Sequence, residues 1–167
     1  LHSSIITSDE QNVPIKQLIS GGQTGVDRAA LDVALEFGIR CGGWCPRGRK
    51  AEDGPIDRKY PLWETPSARY ADRTEWNVRV GDATLILSIG SPTGGTALTK
   101  KLADDFGKPC LIVDLDQPAE TATVLQWLAE HAVRTINVAG PRESTSPGVF
   151  RKSQTYLRRL LADYRTT

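Results

Sequence analysis

Apolar residues recur along the chain with two different spacings. Ile15, Leu18 and Ile19 form a short strand-like run, and from Val26 to Phe37 apolar residues return every three or four positions, as on one face of a helix. The segment between them, Ser20-Gly21-Gly22-Gln23-Thr24-Gly25, is a glycine-rich bend. Because the first N–H groups of a helix have no helical partner and carry partial positive charge, such a bend can hold a phosphate. A purely structural turn that packs helix against strand is the alternative.

Strand and helix signals continue to alternate towards the carboxyl end. The pattern predicts strands over residues 39–45, 83–89, 110–115 and 135–139, and helices over 73–81, 97–106, 119–131 and 149–164. Residues 46–71 read as a long polar loop. The order predicts an α/β fold with a doubly wound parallel sheet of about five strands and helices on both faces. Residues 1–13 are predicted to be a poorly structured tail, and residues 14–167 a single ligand-binding domain.

A second glycine-rich turn, residues 90–96, follows the apolar strand 83–89 and opens another helix. Ligands of such sheets lie at the carboxyl ends of the strands, where the strand order reverses. If the first strand and strand 83–89 are neighbours there, the two turns face each other across a crevice. Their helix N-termini and the hydroxyls of Thr24, Thr93, Thr96 and Thr99 would then surround an anion. A third turn, residues 140–144, follows the last strand.

Several side chains are candidates for the same crevice. Asp27 is either a ligand contact or a carboxylate stabilised by the helix dipole. The basic residues just after the second strand suit phosphate contact, although such charge runs usually face solvent. Arg73 and Asn77 share one helical face. The predicted binding residues are Gly21, Gly22, Gln23, Thr24, Gly25, Asp27, Arg28, Arg47, Arg49, Arg73, Asn77, Gly90, Thr93, Gly94, Gly95 and Thr96.

Composition narrows the function classes. The 21 basic and 20 acidic residues give a net charge of +1, so the chain has no global field for nucleic acid or an anionic membrane. No apolar run reaches the roughly 20 residues needed to span a bilayer, so we expect a cytoplasmic protein. The three cysteines are expected to be free thiols, and the two histidines show no metal-ligand spacing. No catalytic set is recognisable, so binding is better supported than chemistry.

The longer motifs resemble the putative molybdenum carrier family, proteins similar to the molybdenum cofactor carriers of algae. The matching blocks are residues 20–32 (SGGQTGVDRAALD), 42–54 (GGWCPRGRKAEDG), 60–62 (YPL), 73–78 (RTEWNV), 94–99 (GGTALT) and 108–109 (KP). The resemblance implies a Rossmann-like fold of the group that includes the lysine decarboxylase-like, cytokinin-activating phosphoribohydrolases. It also implies a homo-oligomer, often a tetramer.

That resemblance gives two functional hypotheses. Those hydrolases carry a Pro-Gly-Gly-x-Gly-Thr-x-x-Glu signature in the second turn, and Thr99 stands here in place of the Glu. The departure favours a non-catalytic carrier that binds the phosphate of molybdopterin at the glycine-rich turns, beneath the loop 46–71, with molybdoenzymes as acceptors of the cofactor. The alternative is a nucleotide-binding enzyme or sensor, with Asp27 or Glu75 replacing the missing carboxylate.

Overall fold

Strands and helices alternate through residues 14–166, which are the residues described by the computed structural model. The predicted tail, residues 1–13, lies outside them. The strands are β1 (Gln17–Ile19), β2 (Cys41–Gly42), β3 (Trp44–Cys45), β4 (Trp63–Glu64), β5 (Ala83–Ser88), β6 (Cys110–Asp114) and β7 (Thr135–Ala139). The helices are α1 (Val26–Glu36), α2 (Tyr70–Val80), α3 (Gly94–Asp105), α4 (Thr121–Glu130) and α5 (Val149–Arg165).

Five strands form one parallel sheet in the order β2-β1-β7-β5-β6. The predicted α/β class, strand number and Rossmann-like architecture are therefore confirmed. Each residue of β5 is buried, as expected for a strand covered on both faces. Leu85 and Leu87 of β5 join the main hydrophobic core on one face, together with Val138 of β7 and Leu157 of α5.

The assumed neighbourhood of β1 and β5 is wrong. The last strand, β7, lies between them and pairs with both: Leu18 lies opposite Ile136, and Leu85 lies opposite Val138. Sequence order gave no signal for this insertion, because β7 returns from the sheet edge at β6 to the centre. The turn after β7 is therefore placed between the two turns that were expected to face each other.

The helices cover the sheet in two groups. Helix α5 packs between α1 and α4, and α2 packs against α3. Right-handed crossovers that leave the sheet centre in opposite directions place their helices on opposite faces. None of the helices within residues 14–166 is long and apolar enough to cross a membrane.

The predicted strand 39–45 is divided in two. Gly43 (φ 123°) separates β2 from β3, and a Cβ at this position would lie 2.3 Å from the Ser20 carbonyl oxygen. After this break β3 leaves the main sheet and pairs with β4, a strand that the sequence pattern did not predict within the polar loop. Helix α2 also begins at Tyr70, three residues before the predicted start.

Candidate functional site

A cavity of about 140 Å³ opens at the carboxyl edge of the main sheet. Its walls come from the turns after β1, β5 and β7 and from one face of α2. This is the edge at which doubly wound sheets bind ligands. The lining residues are Gly21, Gln23, Asp27, Tyr70, Ala71, Arg73, Thr74, Asn77, Thr93, Gly94, Gly95, Thr96, Leu98, Thr99, Asn137, Val138, Ala139, Gly140, Pro141, Arg142 and Thr145.

Close backbone approaches hold the first and third turns together. The Ser20 hydroxyl donates a 2.6 Å hydrogen bond to the Val138 carbonyl of β7. A Cβ at Gly25 would lie 2.4 Å from the Pro141 carbonyl oxygen, and a Cβ at Gly140 would lie 2.2 Å from the Leu87 carbonyl oxygen. Glycine is therefore needed at both positions to let three strand ends converge on one cavity.

A buried ion pair forms one wall. Nη1 of Arg73 lies 2.8 Å from Oδ2 of Asp27, and both side chains are buried. The same Oδ2 accepts a 3.2 Å hydrogen bond from the backbone N–H of Gln23. The guanidinium occupies the space above Gly21, since a Cβ there would lie 1.8 Å from Nη1. The pair thus fixes α2 against the first turn.

Gln23 has a defined amide orientation. Its Oε1 accepts hydrogen bonds from the backbone N–H groups of Thr24 (3.0 Å) and Glu52 (2.9 Å). Because a flipped amide would set NH₂ against two N–H donors, the free group must be Nε2. Gln23 Nε2 and Arg73 Nε are buried and have no partner among residues 14–166. Buried donors of this kind are costly unless a ligand or water satisfies them.

The N-terminus of α3 forms the opposite wall. Its N-cap, Thr93, makes no side-chain capping bond, and the helical bonds begin where Thr96 donates to the Thr93 carbonyl oxygen at 3.1 Å. The N–H groups of Gly94 and Gly95 therefore precede the helical pattern. A Cβ at Gly95 would meet nothing within 4 Å, so protein packing does not require glycine there. A ligand that approaches the backbone closely would require glycine at this position.

Cations surround the ring of Tyr70 at the cavity wall. Lys50 Nζ lies 4.5 Å, Arg142 Cζ 4.9 Å and Arg73 Cζ 5.6 Å from the ring centroid. Arg73 is neutralised by Asp27, and Arg142 is 3.8 Å from Glu52. Lys50 makes no ion pair with the described residues. Lys50 therefore leaves positive charge beside the Tyr70 wall of the cavity, which suits an anionic ligand.

Glu52 connects the loop 46–71 to two turns. Its carboxylate accepts hydrogen bonds from the hydroxyls of Ser144 (2.5 Å) and Thr24 and from the Ser144 N–H at 3.3 Å. The Ser144 hydroxyl, followed by that of Thr24, lowers the pKa of this carboxyl below its ordinary value. These bonds hold the loop beside the cavity.

The structure brings nine of the sixteen predicted binding residues to the cavity. They are Gly21, Gln23, Asp27, Arg73, Asn77, Thr93, Gly94, Gly95 and Thr96. Asn77 is already engaged, because its amide accepts from the Trp44 N–H at 2.8 Å and donates to the Trp44 carbonyl at 2.9 Å. Ligand contact by these residues stays a prediction.

The other seven, Gly22, Thr24, Gly25, Arg28, Arg47, Arg49 and Gly90, do not line the cavity. Arg28 binds the Gly22 carbonyl and forms an ion pair with Asp53 at 2.7 Å. Arg49 donates to the carbonyls of Ile56, Asp57, Tyr60 and Leu62, so its guanidinium organises the loop. Arg47 donates to the Pro66 carbonyl at 3.2 Å.

A wider groove of about 830 Å³ lies on the other side of the first turn, beside Thr24, Gly25 and Arg28. Several of its polar groups are already hydrogen-bonded. The Tyr60 hydroxyl donates to Asp32 at 2.5 Å, and Glu143 accepts from the N–H groups of Gly148 and Phe150. Burial, followed by the bond to Asp32, raises the pKa of Tyr60. The smaller cavity, with its unpartnered donors, is the better candidate.

Sequence reasoning missed the contributions of β7 and of the turn that follows it. Asn137, Gly140 and Arg142 line the cavity, as does Tyr70 at the start of α2. The Gly140-Pro141 turn was visible as a signal, but its place beside the other two turns depends on the central position of β7.

The thiols lie apart from the cavity. Cys41 and Cys45 are buried free cysteines, Cys110 is half-buried and free, and none lines the cavity. Burial raises the pKa of the Cys45 thiol. In the part of the chain that the structure describes, no three His, Cys, Asp or Glu side chains gather into a metal site.

Comparison with known proteins identifies the family. The model of the circularly permutated YpsA SLOG family matches residues 18–161. The chain belongs to this family. A crystal structure of a "putative molybdenum carrier protein" from Syntrophus aciditrophicus SB is 44% identical, covers 88% of this chain and 95% of its own, and superposes with a TM-score of 0.85. The predicted membership of the molybdenum carrier group is confirmed. No curated protein matches the chain.

Proposed function

We propose that this chain is a non-catalytic carrier that binds the molybdenum cofactor in the cavity between its three turns. The observation that carries the proposal is that two residues lining this cavity, Gln23 and Arg73, each carry a buried donor without a partner, Nε2 and Nε respectively. The name of the Syntrophus relative favours a molybdenum-related ligand. A group that supplies hydrogen-bond acceptors to these donors would offset their desolvation.

The cofactor's phosphate would lie at the N-terminus of α3. The N–H groups of Gly94 and Gly95 and the unused Thr93 hydroxyl offer anion contacts there. Lys50 and Arg142 beside the Tyr70 ring would add the positive charge that sequence reasoning assigned to Arg47 and Arg49. The cofactor itself would bring the molybdenum, held by its own dithiolene, so no protein metal ligand is required.

The second candidate is a nucleotide-binding enzyme or sensor. Asp27 favours it, because among the described residues it is the carboxylate that lines the cavity, whereas Glu75 pairs with Arg79 on the exposed face of α2. Thr99, at the position of the hydrolases' Glu, donates its hydroxyl to the Gly95 carbonyl at 3.0 Å. The enzyme hypothesis predicts release of free base from a nucleoside monophosphate, abolished by Asp27→Asn.

Isothermal titration with the molybdenum cofactor and with AMP separates the two. The carrier proposal expects the cofactor to bind more tightly than AMP, and it is overturned if AMP binds tightly and the cofactor does not. Gly95→Ala should weaken cofactor binding at least roughly tenfold, since the added methyl fills the approach to the backbone. Thr123→Ala, at an exposed position of α4, is the matched control and should leave affinity unchanged.

Assembly and transfer also belong to the proposal. A cytoplasmic homo-oligomer, with the tetramer as the expected form, would hand the cofactor to molybdoenzymes. A native mass spectrum of the purified protein would display both the oligomer and any ligand that co-purifies.

A further inference from the structure

Three polar side chains that line the cavity define a hydrogen-bonding pattern. Gln23 and Arg73 contribute the unpartnered donors Nε2 and Nε. Asp27 contributes the acceptor Oδ1, since the hydrogen bonds from Arg73 and from the Gln23 N–H both go to Oδ2. The three residues are 5%, 9% and 4% exposed and all three line the cavity, so a ligand there lies next to the side chains that carry these atoms. The pattern is two donors and one acceptor.

We infer that Gln23, Asp27 and Arg73 recognise a heterocyclic ring in which a carbonyl oxygen stands beside an N–H group. The carbonyl oxygen has two lone pairs and can accept from both free donors, while the ring N–H donates to Asp27. Pterin, guanine and hypoxanthine present this lactam edge. The inference rests on the proposed function, since it assumes that the phosphate of the same ligand lies at α3.

Adenine fits the pattern less well. Its amino group can donate to Asp27, but the neighbouring ring nitrogen has a single lone pair and leaves one buried donor without a partner. A site built to hydrogen-bond a polar group discriminates strongly against an analogue that lacks it, because the site's own buried groups are then unpaired. The cavity should therefore select lactam rings over adenine.

Titration of the full chain with GMP, IMP and AMP tests this inference. The three ligands share ribose and phosphate and differ at the ring edge. We expect GMP and IMP to bind at least roughly tenfold more tightly than AMP, the factor expected for one unsatisfied buried donor. Equal affinities would overturn the inference while leaving the phosphate site intact.

Gln23→Glu is the sharpest variant. It keeps the oxygen that accepts from Thr24 and Glu52 and replaces the free donor with an acceptor. Its negative charge repels every nucleotide phosphate similarly, so the informative quantity is the ratio of GMP to AMP affinity. We expect this ratio to fall roughly tenfold. Thr123→Ala should leave it unchanged.

The other possible outcomes also test whether these three residues recognise the ring. An unchanged ratio in a folded Gln23→Glu protein, verified by its melting temperature, would contradict the role of Gln23. If that variant does not fold, the wild-type comparison of GMP with AMP still stands as the test. Failure of all three nucleotides to bind would overturn the inference. Titration with the molybdenum cofactor would then determine whether the carrier proposal fails with it.

Discussion

Two glycines in the cavity wall differ in what a methyl group would meet. A Cβ at Gly21 would overlap the Arg73 guanidinium, whereas a Cβ at Gly95 would stand in open space. Gly21→Ala should therefore displace Arg73 from Asp27 and lower the free energy of unfolding by roughly 3 kcal/mol, the usual cost of breaking a buried pair. Urea denaturation of Gly21→Ala and wild type measures this loss of stability.

Gly95→Ala is the matched control, since it should leave stability unchanged or raise it by a few tenths of a kcal/mol through helix propensity. Equal losses of stability in the two variants would show that the Arg73 position is not what excludes a side chain at Gly21.

A single arginine organises much of the loop between β3 and α2. Arg49 donates to four backbone carbonyls between residues 56 and 62, which a lysine cannot reproduce because it lacks the planar fork of donors. Arg49→Lys should cost roughly 2 kcal/mol and speed amide hydrogen exchange in residues 50–64. Arg47→Lys, which loses a single bond to Pro66, is the control. Similar exchange in both variants would argue against this role.

The bonds between Glu52 and its two turns predict a pH dependence. Because the folded-state pKa of Glu52 is lowered, its contribution is complete above the ordinary glutamate value of 4.5 and is lost as the pH falls through the folded-state pKa. Glu52→Gln should cost roughly 1 kcal/mol near neutral pH. The difference from wild type should shrink in acid.

Urea denaturation of both proteins across this pH range measures the effect. Glu75→Gln, on the exposed face of α2, is the control for a general change of charge. A difference between Glu52→Gln and wild type that is constant down to low pH would contradict the proposed contribution.

The elements differ in how well sequence could predict them. Periodicity located α1, β5, β6 and β7 because their apolar residues face a single core or lie buried on both faces. It could not reveal β4, whose residues Trp63 and Glu64 are exposed and which exists through pairing with β3. The loop arginines are predicted as phosphate ligands because the carbonyl groups that they bind are distant in sequence, up to 19 residues away, and periodicity cannot reveal such partners.

The order of strands connects the cavity to the permuted family. If the chain is read from β7 onward, the strands become β7, β1, β2, β5 and β6, and their spatial order is 3-2-1-4-5. This is the order of the first five strands of a Rossmann sheet, in which ligands bind where the order reverses. The reversal falls at β7, so the turn containing Gly140 takes the central position at the cavity.

A circular permutant that begins just before β7, with the end of α5 joined to the start of β1, should preserve the fold. The Ile15 N–H donates to the Tyr164 hydroxyl at 2.7 Å, so the start of β1 lies beside the end of α5. A chain that begins at Ala132, passes from Thr166 through a short glycine-serine linker into Pro14, and ends at His131 should unfold cooperatively. Its stability should lie within roughly 2 kcal/mol of wild type, since loop closure depends weakly on length.

Ligand affinity provides a control experiment for this permutant. Because the opening between His131 and Ala132 leaves all three turns continuous, affinity for the molybdenum cofactor should match that of wild type. A second permutant with the same linker, opened between Ser144 and Thr145, interrupts the turn that carries Arg142 and should lose affinity at least roughly tenfold. Equal affinity of the two permutants would mean that the turn after β7 does not contribute to the binding site.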